Sequence, residues 1–213
     1  MRKYFVLATV LLAGCAIAPQ SQTPTAVYDF GLQRSSSATP QPQLRLRASL
    51  LVTEAASPAG LDNPAIQYRL AYHDIAQSHV YANSRWAAAP GALLTQRIRS
   101  HLAAVTNDGV VSASDGARAD YALRLELEEF TQVFDTPDKS RVVIRLRASL
   151  VERHSRALLA QQGFNLERPA PTANAAGAVR ALTEASDELA GNLTAWLATR
   201  LEEEGKKKSS KKL

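Results

Sequence analysis

DYALRLELEEFTQVFDTPDKSRVVIRLRASLVERHSRALLAQQGFNLE, residues 120–167, decides the fold. In its first part, Tyr121, Leu123, Leu125 and Leu127 alternate with Arg124, Glu126 and Glu128. A period of two places one side of a strand in a core and the other in water. Asp135-Thr136-Pro137-Asp138 then breaks the pattern with turn formers. Arg141–Arg153 resumes it, with Val142, Ile144, Leu146, Ala148 and Leu150 in phase, and after Ser155-Arg156 the segment Ala157–Glu167 returns. Three alternating runs joined by short turns predict a three-stranded antiparallel meander.

Downstream, Pro169 and Pro171 precede a long helical pattern over Ala175–Glu204. Val179, Leu182, Leu189, Leu193, Trp196, Leu197 and Leu201 form its apolar stripe, and Gly191 weakens its middle. Upstream, short strands are expected at Val27–Leu32, Leu44–Thr53, Ile66–Tyr72 and His79–Ala88. Pro90 suits the first position of a helix, and Leu94, Ile98, Leu102 and Val105 share one helical face that Asn107-Asp108-Gly109 closes. The order strands, helix, strands, helix predicts an α+β domain over residues 27–204, an antiparallel sheet packed against two helices. RLRASL occurs twice, at Arg45–Leu50 and Arg145–Leu150. The helices that follow stand at different offsets, which favours coincidence over duplication.

The N-terminus carries the sharpest motif. Arg2 and Lys3 precede an apolar run, Tyr4–Leu12, that ends in Leu12-Ala13-Gly14-Cys15, and Cys15 is the one cysteine of the chain. Basic, apolar and small-residue regions in that order read as an export signal, residues 1–14. Small side chains at Ala13 and Gly14 suit a peptidase cutting before Cys15, whose thiol takes a diacylglyceryl group. The freed amine would take a further acyl chain such as palmitate. Two or more chains anchor stably, because each buried methylene adds about 0.8 kcal/mol. The run is shorter than the roughly 20 residues of a membrane span. Residues 15–26 then read as a flexible tether and 33–43 as a polar linker.

Charge supports the same picture. The formal +5 includes Arg2, Lys3 and five lysines between Lys206 and Lys212, so residues 15–205 carry about −2. A nucleic-acid partner needs a basic face on the body, and none is evident in the sequence, so none is expected. Residues 205–213 read as a disordered basic tail, either a solvated end or a segment drawn to an anionic surface.

Catalytic chemistry finds no foothold. His73, His79, His101 and His154 lack helical metal-ligand spacing, and no nucleophile elbow or phosphate loop occurs. His73 and His79, six apart across a turn, admit a weak shared site, but solvated loop histidines are the favoured reading. Glu126 and Glu128 face arginines across the meander and read as cross-strand ion pairs. No catalytic, cofactor or metal residue is therefore expected. Arg85 and Trp86 admit two readings: a core tryptophan stapling strand to helix, or anchors for a partner, where tryptophan and arginine dominate binding energy.

Several segments together resemble a known family. They are the lipobox, Tyr28-Asp29-Phe30-Gly31, Leu61–Ile98 (LDNPAIQYRLAYHDIAQSHVYANSRWAAAPGALLTQRI), DYALRLELEEF and the final helix with Trp196-Leu197. The set resembles the ABC-type transport auxiliary lipoproteins, which accompany MCE-domain lipid transport systems such as the paraquat-inducible one. The resemblance implies an α+β fold without catalysis, and an MCE-domain partner with an inner-membrane permease and ATPase. It also implies docking of that assembly at the outer membrane, with a homo-oligomeric ring as one arrangement. Ala16, where inner-membrane retention favours aspartate, implies a lipid-anchored protein at the outer membrane facing the periplasm. The rival reading is an assembly or plug-like lipoprotein of another outer-membrane machine.

Overall fold

The computed structural model describes residues 24–31 and 45–210. The signal 1–14, Cys15, most of the tether, the linker 33–43 and residues 211–213 lie outside them. The described elements run β1 (Ala26–Tyr28), β2 (Leu50–Val52), β3 (Ala65–Leu70), β4 (Asp74–Trp86), α1 (Pro90–Val105), β5 (Val110–Val111), a 3-10 turn (Ala113–Asp115), β6 (Tyr121–Thr136), β7 (Lys139–Glu152), β8 (Leu158–Pro169) and α2 (Ala175–Ser210).

The meander forms as its alternation demands. Leu123, Leu125 and Leu127 of β6 stand opposite Leu150, Ala148 and Leu146 of β7, and β8 returns with Phe164 against Leu146 and Leu166 against Ile144. All are buried under the helices. A register shift falls between Leu127 and Glu129. The extra residue of the Glu128-Glu129 pair advances the strand by one, so Phe130, Gln132 and Phe134 take over the inward face, opposite Ile144, Val142 and Ser140. Without the bulge these side chains would have turned to the outer face.

The α+β class is as expected, but the sheet of eight strands is mixed rather than antiparallel. β3–β4, β6–β7 and β7–β8 are antiparallel, whereas β1–β4, β2–β5, β2–β6 and β3–β6 are parallel. Alternation fixes which face a strand buries; it does not fix the direction of its neighbour. β6 is long enough to take β2 at its start (Leu50 opposite Tyr121) and β3 near its end (Tyr68 opposite Gln132) along one edge, with β7 along the other.

The two copies of RLRASL fold differently. Arg145–Leu150 lies inside β7, while Arg45–Leu50 is irregular until β2 begins, held by a bridge from Leu46 to Thr106. Their neighbours differ as well, which fits coincidence.

α1 spans Pro90–Val105 with Pro90 in its first turn, and Leu94, Ile98 and Leu102 are buried. Thr95 ties it to the β2–β3 connection: its hydroxyl donates to the Gly91 carbonyl at 2.7 Å and accepts the Ala55 N–H at 2.9 Å. α2 begins at an Asn174 cap whose side-chain oxygen accepts the Gly177 N–H at 2.9 Å. It then crosses the meander on the buried face for 36 residues. Residues 205–210, expected to open a disordered tail, are its last turns. Lys208 holds them, bonding the Glu152 carboxylate at 2.6 Å and the Tyr121 hydroxyl at 3.2 Å. Among the described residues no helix is long and apolar enough to cross a membrane.

Candidate interaction surfaces

The residues singled out for chemistry separate in space. Trp86 is 1% exposed. Its ring meets Phe30 edge-on, centroids 5.7 Å apart, and Phe130 at 5.7 Å. Trp86 is therefore a core residue and not a surface anchor; β4 delivers it inward as the sheet meets α1. Arg85, its neighbour on the strand, points to solvent and lines an open cleft of about 370 Å³ with Thr25, Pro64 and Tyr81. Trp196 likewise packs inward, edge-on to Phe164 at 6.0 Å.

The glutamates behave as a charge ladder. Arg147 bridges Glu126 at 3.5 Å and Glu128 at 2.5 Å on the outer face. His73 is exposed in the β3–β4 turn, and His79 stacks on Tyr68 at 5.1 Å. Burial pulls the His101 pKa down, against the opposing field of Asp187. Among the described residues no three His, Cys, Asp or Glu converge on a metal-sized space.

One site was not singled out from sequence. Arg97, on α1, is 7% exposed. Its guanidinium pairs with Asp187 of α2 at 3.3 Å, donates to the Phe30 carbonyl and lies 5.7 Å from the Phe30 ring centre. Asp29 accepts the Gly31 N–H at 2.7 Å, and Gly31 takes a left-handed φ of 64°. This Asx turn drives Phe30 into the core beside Trp86. Tyr28-Asp29-Phe30-Gly31 is thus a clasp that docks the N-terminal segment on α1, beside a cleft of about 270 Å³ lined by Gln96, Arg97 and Ser100. An arginine within a helical pattern reads as surface charge, so nothing local in the sequence marks Arg97.

A second cluster joins β3, β4 and β6. Tyr68 packs against Tyr81 at 4.8 Å and Phe134 at 5.6 Å. The Tyr81 hydroxyl donates to the buried Gln132 Oε1 at 2.6 Å, and Gln132 Nε2 donates to Ser140 Oγ at 2.7 Å. Burial, then the nearby Tyr68, pushes the Tyr81 phenol up to about 12. This relay locks the β3–β4 hairpin to the far end of β6.

The hairpin tip and the end of α2 form opposite poles. Ala71 N–H reaches the Phe134 carbonyl at 2.8 Å near the end of β6. Lys208 sits at Tyr121 and Glu152, which pair at the other end of the meander. What this arrangement offers is two shaped, chemically distinct ends on a rigid sheet.

Known proteins share this frame. The crystal structure of a Xanthomonas campestris protein of the DUF330 family superposes with a TM-score of 0.72 at 19% identity, covering 85% of this chain and 99% of that one. An uncharacterized protein of known structure gives 0.60 at 20% identity, covering 82% and 99%. At such identities the likeness is one of fold. No curated protein matches the sequence. The profile of the ABC-type transport auxiliary lipoprotein component matches residues 28–194, from the Phe30 clasp through most of α2, and the chain belongs to that family.

Proposed function

We propose that this chain is a non-catalytic docking lipoprotein of an intermembrane transport system. Acylation of Cys15 holds it at the outer membrane, facing the periplasm. The folded domain seats the end of an MCE-domain assembly driven by an inner-membrane permease and ATPase, and lipid passes through that assembly. Copies of the chain arranged in a ring would match a tubular partner.

The observation that carries this reading is the family match over residues 28–194 behind a lipobox that ends in the sole cysteine. The structure adds support of a physical kind. Among the described residues Arg97, Gln132 and Ser140, all buried, serve an ion pair and a strand-to-strand relay, and the hairpin tip and the end of α2 offer surfaces at two ends. Such a molecule acts by holding partners in place.

Co-purification tests it. Lipidated protein and a soluble form that lacks residues 1–14 and carries Cys15→Ala are each presented to an MCE-domain protein of the same organism. Retention of the MCE protein by both forms, with outer-membrane fractionation of the lipidated form alone, is expected. Absence of association with either form overturns the docking role.

A further inference from the structure

We infer that the tip of the β3–β4 hairpin, Tyr72 and Ile75, rests in the interface of the same bilayer that holds the lipid anchor, and so orients the domain. The inference rests on the reading of Cys15 as the anchored residue. Four observations lead to it.

The first is direction. β1 pairs in parallel with the end of β4, Ala26 opposite Ser84 and Tyr28 opposite Trp86. Pro24 and Thr25, just upstream of Ala26, therefore lie on the side of β1 that faces Asp74, where the hairpin turns.

The second is length. Eleven residue steps separate Cys15 from Ala26, a reach of at most about 40 Å. Ten steps along β4 separate Ser84 from Asp74, about 33 Å of strand. A lipid on Cys15 thus reaches the plane of the hairpin tip when the tether is drawn out nearly straight, and it cannot reach far beyond it.

The third is the surface at that tip. Tyr72 is 49% exposed and Ile75 51%. An aromatic with a polar end beside a branched aliphatic suits the headgroup boundary, where tyrosine is enriched. Several backbone groups beneath them are paired. His73 N–H bonds the Leu70 carbonyl at 3.0 Å, and Ala76 N–H bonds Asp74 Oδ1 at 2.9 Å. Arg69 caps the Ile75 and Ala76 carbonyls at 3.1 and 3.2 Å. The turn presents side chains rather than bare peptide groups, which lowers the cost of leaving water.

The fourth is the opposite pole. Lys206, Lys207 and Lys208 lie in the last turns of α2, and Lys208 bonds the hydroxyl of Tyr121, the first residue of β6. Thirteen strand steps to Phe134 place the lysines about 40 Å from the hairpin end. That is several times the roughly 8 Å Debye length of physiological salt. With the tip seated, the basic end of α2 projects away from the anchoring membrane. Asp135, near the end of β6, and Asp138, in the β6–β7 turn, lie at the same end as the tip and limit how deep that end sinks.

The test uses lipidated full-length protein in phosphatidylethanolamine–phosphatidylglycerol vesicles, with a nitroxide at Tyr72→Cys or, as the far-end control, at Ser210→Cys. Accessibility to oxygen relative to a water-soluble nickel chelate is measured by electron paramagnetic resonance. The expected ratio at position 72 is several-fold that at 210, and Ile75→Asp brings it down toward the value at 210. Protein that floats with the vesicles but gives equal ratios at both positions overturns the orientation alone. Protein that keeps its N-terminal signal in expression yet fails to float overturns the anchoring reading and the orientation with it.

Discussion

Arg97 on α1 and Asp187 on α2 meet at 3.3 Å, with the arginine buried and the aspartate half in water. The pair is unequal by design of its surroundings. The guanidinium also serves the Phe30 carbonyl, so its loss strands a buried acceptor, while the carboxylate can return to solvent. Arg97→Met is therefore expected to cost about 2 kcal/mol, a fall of about 4–8 °C in melting temperature. Asp187→Asn should cost less than about 1 kcal/mol. Urea and thermal denaturation of both variants check this; equal losses would remove Arg97 as the link between the N-terminal clasp and the two helices.

Two glycines of one helix should respond with opposite signs to the same change. At Gly177 a Cβ would run into the carbonyl oxygen and hydroxyl of Thr172, part of the loop that caps α2. At Gly191 a Cβ would meet nothing within 4 Å. Gly191→Ala should stabilise by about 0.5–1 kcal/mol, the ordinary helical gain. Gly177→Ala should destabilise by about 1–3 kcal/mol, because the strained cap outweighs that gain. Denaturant midpoints of the two variants decide it.

How much of this was legible in advance follows from what each residue's signal depends on. The meander, α1 and α2 were readable because Leu123–Leu127, Val142–Leu150 and Leu94–Leu102 carry long, unbroken periods. The parallel pairing of β2 and β3 with β6 was not readable, since Leu50 buries the same face whichever way its neighbour runs. β5, of two residues, is too short to hold a period. Lys206–Ser210 reads as a solvated tail because lysine runs usually are. Its helix depends on Glu152 and Tyr121, more than 50 residues away in sequence. The polar clasp around Arg97 was invisible for the same reason: its partners Phe30 and Asp187 lie far from it along the chain.

Tyr81 gives an alkaline signature. Its phenol, pushed up to about 12, is favoured as the neutral form in the folded state. A raised acid contributes stability that is whole below the unfolded value near 10, and that stability is lost as pH rises through the folded value. Absorbance titration at alkaline pH should show one late-ionising phenol that disappears in Tyr81→Phe. The same variant removes the donor to Gln132 and should cost about 1–2 kcal/mol at neutral pH. A wild-type profile without a late step, unchanged in the variant, would sink the relay.

The last turns of α2 should fray in acid. The Glu152 carboxyl is held below its usual value by the hydrogen bond from Lys208, then by that from the Ser155 hydroxyl. Lys208 is shifted upward, mainly by Glu152 and then by the Tyr121 hydroxyl. A depressed carboxyl contributes its stabilisation above the unfolded value near 4.3 and loses it as pH falls through the folded value. Lys208 stays charged across that range, so the acid limb belongs to Glu152. Hydrogen exchange at residues 205–210 should therefore speed up below about pH 4 relative to the middle of α2. Lys208→Gln should exchange that fast already at pH 7, and Lys206→Gln, whose side chain holds neither Glu152 nor Tyr121, should not. If residues 205–210 exchange at the rate of an unstructured peptide in the wild type at pH 7, the helix stops short of the lysines, and the basic pole loses its fixed direction.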